Sequence, residues 1–193
     1  MKTTKTAGKK TAKKTPAKST SRSAKKVAAK KDAAKSLDDL FEDCLKDALW
    51  AENALYKALP KMSKNATSAK LKKALDDHRE ETGEHIKTLK DVFKSIGVKA
   101  ETEKCDAMAG ILDEGEGVLK ETKAGAVRDA GIIGACQKAE HYEIASYGTM
   151  ISYAKLLKHT EAHKMLKSIL KQEKDADKLL SRLGTSEINL KAQ

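Results

Sequence analysis

Aromatic side chains are scarce in this chain: two Phe, four Tyr and one Trp make up 4% of its 193 residues, and there are two prolines. That shortage argues against a sheet sandwich. Ala, Lys, Leu and Glu dominate instead, and they favour helices, so the sequence predicts an all-α fold. Cysteine is sparse as well. Cys44, Cys105 and Cys136 are odd in number, far apart and free of any CxxC spacing, which speaks against a disulfide framework or a zinc ribbon and fits a reducing compartment. No stretch supplies the roughly 18 consecutive apolar residues of a membrane span, and no apolar run follows the basic N-terminus to make a signal peptide. The expectation is a soluble, cytoplasmic protein without membrane contact.

The net charge of +11 is unevenly distributed. Residues 1–35 carry 13 Lys or Arg and a single acid, Asp32, for a net +12, while residues 36–193 balance at −1. The basic segment has Val27 as its one large apolar side chain after Met1, so it cannot bury a core and is expected to be disordered alone. Its lysines, among them Lys9, Lys10, Lys13, Lys14, Lys18, Lys25, Lys26, Lys30 and Lys31, suit non-specific binding to DNA or RNA by counterion release. No aromatics interleave them, so base stacking and strong sequence preference are not expected.

Beyond the tail the chain reads as a domain over 36–184 and a polar C-terminal tail over 185–193. Ser36, with Asp39 three residues on, opens a helix in capping-box fashion. Phe41, Cys44, Leu45, Ala48, Leu55 and Leu59 form its apolar stripe, and Glu52 interrupts it. Pro60 is expected to kink or end this helix, leaving Lys61–Asn65 as a connection. A second helix from Thr67 or Ser68 to Gly97 carries His78, Glu81 and His85 at i, i+3 and i+7 on its apolar face, within about a sixth of a turn of each other. Residues 98–124 read as a long crossover with a short helix near Met108, from which Glu114 is expected to face solvent. A third helix, Val127 to Leu157, buries Glu140 and Glu143 in its stripe. A fourth, Thr160 to a stop at Gly184, buries Glu173 and Asp177.

A repeat relates the two helical pairs. Aligning AEN at Ala51–Asn53 with AEH at Ala139–His141 superposes Glu52 on Glu140, Glu81 on Glu173 and His85 on Asp177; the intervals from first to second glutamate are 29 and 33 residues. Two short links and one long crossover bring all four centres to one level of a bundle core. Buried carboxylates need a partner, and a carboxylate-rich set with one or two imidazoles suits iron or manganese better than structural zinc. The repeat approaches the ferritin-like dinuclear pattern of one Glu from each of two helices and Glu-x-x-His from each of the others.

From Ser36 to Leu183 the segments DALWAENAL, HREETGEHI, AMAGILDEG and, above all, AEHYEIASYGT followed by LKSILKQEKDAD resemble the YciF-type ferritin-like proteins, a bacterial stress-associated family of the ferritin and rubrerythrin superfamily. The tail resembles those of linker histones in composition. The family resemblance implies a ferritin-like four-helix bundle with a long crossover holding a short extra helix, two iron ions (or manganese), homodimerisation and a role in oxidative stress. It places Glu52 and Glu140 as single carboxylates and Glu81 and Glu173 as bridging ones. His85 and Asp177 stand one residue beyond the usual Glu-x-x-His position, His78 competes with His85 as imidazole donor, and Glu143 is an extra carboxylate. The expected function is consumption of peroxide or oxygen with Fe(II) as electron source, close to nucleic acid. The alternative is a non-enzymatic nucleoid-associated protein whose bundle is a dimerisation scaffold.

Overall fold

The computed structural model describes residues 27–31 and 33–193. The chain divides into two units, Met1–Ala33 and Ala34–Gln193. In the first, Val27, Lys30 and Lys31 are exposed, whereas Lys9, Lys10, Lys13, Lys14, Lys18, Lys25 and Lys26 lie outside the described residues. The second unit is a helical bundle: α1 Leu37–Asn65, α2 Ala69–Ser95, α3 Asp106–Glu121, α4 Ala126–Leu156, α5 Thr160–Leu183, a π-helical turn Gly184–Ile188 and α6 Asn189–Lys191. There are no strands among the described residues.

Caps set the helix starts. Ser36 Oγ accepts from Asp39 N at 3.0 Å while Asp39 Oδ2 accepts from Ser36 N at 3.1 Å, a reciprocal box that satisfies two otherwise orphaned donors. Ser68 caps α2 through Leu71 N, and Cys105 caps α3 through Met108 N. Cys105 Sγ also lies 2.9 Å from the Tyr142 hydroxyl, which fastens α3 to α4.

Two apolar clusters fill the bundle. One holds Phe41, Leu45 and Leu49 of α1, Leu89 and Phe93 of α2, Met150 of α4 and Leu166 of α5. The other holds Leu55 and Leu59 of α1, Leu71 and Leu75 of α2, Ile132 and Cys136 of α4 and Leu180 of α5. The order of the clusters along each helix fixes direction: α1 and α5 run one way, α2 and α4 the other. Because α2 and α4 are co-directional, the link between them must travel back along the bundle, a distance of about 40 Å for a helix as long as α2. The crossover carrying α3 does this, packing on α4 and α1.

Two sequence expectations need correction. Pro60 does not end α1, which runs on to Asn65. The lost backbone hydrogen bond and ring clash cost about 3 kcal/mol. Continuing one more turn places Met62, 5% exposed, in the second cluster, which recovers about 1.5–3 kcal/mol. The α-helix α5 does end at Leu183 with Gly184 as its C-cap, but residues 185–193 do not leave the bundle as a polar tail. Gly184 takes right-handed helical angles, and the π-turn after it carries Ile188 into the same cluster at 2% exposure. Glu187 on that turn pairs with Lys70 of α2 at 2.6 Å.

Asp129, near the start of α4 and 2% exposed, received no role from the sequence. Its carboxylate accepts from Thr67 N, Thr67 Oγ1 and Ser68 N, each at 2.7 Å, and so ties the start of α2 to the start of α4. Hydrogen bonds to a charged group contribute about 1.5–3 kcal/mol each. Asp129→Ala, which removes all three, is expected to lower the thermal midpoint by roughly 9–18 °C for about 4.5 kcal/mol lost, with metal content unchanged; calorimetry beside metal analysis checks both halves of the expectation.

Candidate metal centre

Between the two apolar clusters, α1, α2, α4 and α5 each contribute ionisable groups at one level. Seven residues are nearly two full helical turns, so His78 and His85 of α2 stand one above the other on its inward stripe. Glu140 and Glu143, three apart on α4, share a face in the same way, and Glu52 and Glu173 complete the layer from α1 and α5. These carboxylates are 0–2% exposed, His85 1% and His78 7%.

The layer resolves into two groups. Glu52, His85 and Glu173 form one; His78, Glu140, Glu143 and Glu173 form the other; within each, one ligand atom per residue lies within 4.8 Å of all the rest. Glu173 belongs to both. His85 Nδ1 is 2.9 Å from Glu173 Oε1 and 3.4 Å from Glu52 Oε1, and His85 Nε2 lies 3.2 Å from Gln172 Oε1. His78 Nε2 is 3.1 Å from Glu140 Oε1. The Tyr147 hydroxyl donates to Glu52 Oε1.

Close approach does not amount to a hydrogen bond for most of these atoms. Both oxygens of Glu143 and of Glu173, both nitrogens of His78, His85 Nδ1, Glu52 Oε2 and Glu140 Oε2 have no hydrogen-bond partner. Apart from Arg79 Nε, every such buried side-chain atom among the described residues belongs to this layer. Unpartnered buried polar atoms cost about 1–3 kcal/mol each, and more if charged. Carboxylate and imidazole ligand atoms converging from four helices fit metal coordination, and the two groups sharing a carboxylate fit a pair of ions.

Burial pushes the Glu140 and Glu143 carboxyls well above the ordinary carboxylate range, and the charge of Glu173 adds to it. Burial raises Glu52 too, with His85 and Tyr147 opposing. For His85, burial works against the charged form, but Glu173 and Glu52 outweigh it and push the imidazole up to about 10. Burial also acts to raise Glu173, yet the adjoining His85 and His78 hold it below its usual value. Burial and the Glu52 charge keep the Tyr147 phenol protonated. Cation binding at this layer would compete with protons on its raised groups.

Of the residues expected from the sequence, Glu52, His78, His85, Glu140, Glu143 and Glu173 are brought together. The two histidines do not compete, since each serves a different group. Glu81 and Asp177 lie outside both groups. Three residues from His78, Glu81 is turned about 60° off the inward line; its side chain is 45% exposed and 3.7 Å from His78 Nδ1. Asp177, four residues past Glu173, is rotated the other way, accepting from Gln137 Nε2 at 3.0 Å and standing 3.3 Å from His141 Nε2. Glu114 pairs with Lys138 on the surface. Tyr147 and Gln172 went unnoticed as neighbours of the layer. A signal existed for Tyr147, which follows Glu140 by seven residues and, once buried, needs a partner for its hydroxyl.

An all-helical bundle with a carboxylate-rich layer shared by four helices defines the class, a ferritin-like bundle. The profile of a domain of unknown function, DUF892, matches residues 36–193, and the chain belongs to that family. It is 39% identical over 159 residues to protein YciF of Escherichia coli (strain K12), covering 82% of this chain and 96% of YciF. The crystal structure of that E. coli stress protein superposes with a TM-score of 0.78, covering 81% of this chain and 99% of that one. YcfI of Rhodopseudomonas palustris, 36% identical, superposes with a TM-score of 0.76 over 79% of this chain and 98% of its own.

The raised groups give the layer a definite pH response. Glu140 and Glu143 hold protons that the unfolded chain releases above about pH 4.5, so their contribution to stability falls as pH rises from there. The His85 contribution is full below about 6.5 and lost as pH rises through about 10. Glu173, lowered, contributes above the ordinary carboxylate range and loses that only in acid. Chelator-treated protein is therefore expected to melt at lower temperature at pH 8 than at pH 5, and Glu140→Gln with Glu143→Gln to flatten that slope. A wild-type midpoint that rises over this interval contradicts the assignment.

Proposed function

We propose that this protein is a dinuclear iron or manganese oxidoreductase that consumes peroxide or oxygen and takes electrons from Fe(II), and that residues 1–35 bind DNA or RNA non-specifically. The observation that carries the catalytic reading is the sharing of Glu173 between two groups of buried, unpartnered ligand atoms. Glu173 would bridge the ions, Glu52 and His85 hold one, and His78, Glu140 and Glu143 hold the other. A bound pair would hold both oxygens of a peroxide and pass on two electrons, with two Fe(II) oxidised to Fe(III) and the peroxide taking up two protons to leave as water. Tyr147 holds Glu52 in place through its hydroxyl, and the apolar clusters above and below exclude bulk water. The kinship with a stress protein supports this reading.

Protein produced with added iron or manganese is expected to contain two ions per chain and to consume peroxide or oxygen. Glu173→Gln is expected to lose at least one ion and most of the activity while keeping its helical circular dichroism. Wild-type protein without stoichiometric metal would refute the proposal.

A second reading has its own observation, the +12 charge of residues 1–35. It makes the protein a cytoplasmic, nucleoid-associated homodimer whose bundle serves as a dimerisation scaffold. Deleting residues 1–35 is expected to abolish DNA retention at low salt and to leave metal content intact, which assigns the two properties to separate regions. DNA binding that persists unchanged without the tail contradicts its role.

A further inference from the structure

The carboxylates of the layer are at most 2% exposed, so a cation reaching them needs an inlet. A cleft of about 350 Å³ lies between α2 and α5. His78 and Glu140 contribute to its lining, as do Glu81, Arg182 and the solvent-exposed Asp77, Lys171 and Asp175. His78, more than nine-tenths buried, has both ring nitrogens without a hydrogen-bond partner, and among the candidate ligands it is the most exposed. Two larger cavities, about 680 Å³ between α1 and α3 with Lys57 and Lys61 in its lining and about 430 Å³ beside Thr67, Asp129 and Glu187, contain none of the candidate ligands.

Charge within the cleft is graded. Asp77 is held by Lys73 at 2.6 Å and Asp175 by Lys171 at 2.8 Å, which neutralises both. Glu81 has no Lys or Arg within salt-bridge distance among the described residues, and its nearest ionisable partner is His78 at 3.7 Å. A half-exposed carboxylate beside an unpartnered imidazole offers a hydrated cation one ligand before it sheds its water and a second behind it.

We propose that the α2–α5 cleft is the inlet through which divalent cations reach the centre, and that Glu81 passes each cation to His78. The inference rests on the dinuclear-metal reading and deepens it. It accounts for an acid that the sequence aligns with Glu173 and the fold leaves beside the centre.

The test is the loading of metal-stripped full-length protein with Co(II), followed by stopped-flow visible absorbance, with the final stoichiometry measured separately. Glu81→Gln is expected to slow loading about tenfold at low ionic strength, as loss of a steering charge does, and to leave the number of bound ions unchanged. Ala176→Phe, which narrows the cleft without altering charge, is expected to slow loading as well. Glu116→Gln, in the α1–α3 cavity, is the control that should load like wild type. Wild-type loading rates in Glu81→Gln would overturn the proposal, and so would an ion lost at equilibrium, which would make Glu81 a ligand. Wild-type protein that takes up no Co(II) would instead refute the metal centre itself.

Discussion

Burial of several carboxylates at the middle of a four-helix bundle is the constraint on which this structure depends. Each ionised carboxylate taken from water costs several kcal/mol unless it is paired or coordinated. Here Glu52, Glu140, Glu143 and Glu173 share one layer with two imidazoles. The apolar clusters on either side hold the layer in place by burying Phe41, Leu45, Leu89 and Leu166 at one end and Leu59, Leu71, Ile132 and Leu180 at the other. The stability of those ends is what permits a costly centre. The co-directional run of α2 and α4, and with it the α3 crossover, brings α1, α2, α4 and α5 to the layer in the required order.

The two halves of the layer are not equivalent. One offers a single unshared carboxylate, Glu52, with His85, and is braced by Tyr147 and Gln172. The other offers Glu140 and Glu143 with His78, carries no such bracing, and adjoins the α2–α5 cleft. The repeat in the sequence is thus broken where it matters chemically. His85 keeps the inward position that its counterpart Asp177 gives up, while Glu143, opposite Leu55 in the repeat, adds a ligand atom to the half nearer solvent.

Much of this was legible from periodicity. The four bundle helices, the crossover and most of the buried acids followed from apolar residues recurring at 3.6-residue intervals with Glu and His inside the stripe. What periodicity could not resolve was angle at the level of one residue. Glu81 and Asp177 sit three and four positions from inward-facing residues, near enough to share a stripe on paper and far enough to face a cleft or a neighbouring helix. Pro60 and the polar run after Gly184 misled for a different reason. Their local preferences were outweighed by burial of Met62 and Ile188, a tertiary effect that no short window contains. Asp129 was invisible because its three donors lie more than sixty residues away in sequence.

The central claim is that Glu173 joins two cation sites. Anomalous diffraction from crystals of the iron- or manganese-loaded protein tests it most directly. The account predicts two peaks about 3.5–4 Å apart, one on the Glu52 and His85 side of Glu173 and one on the His78, Glu140 and Glu143 side. A single peak away from Glu173, or no peak within the layer, would contradict it.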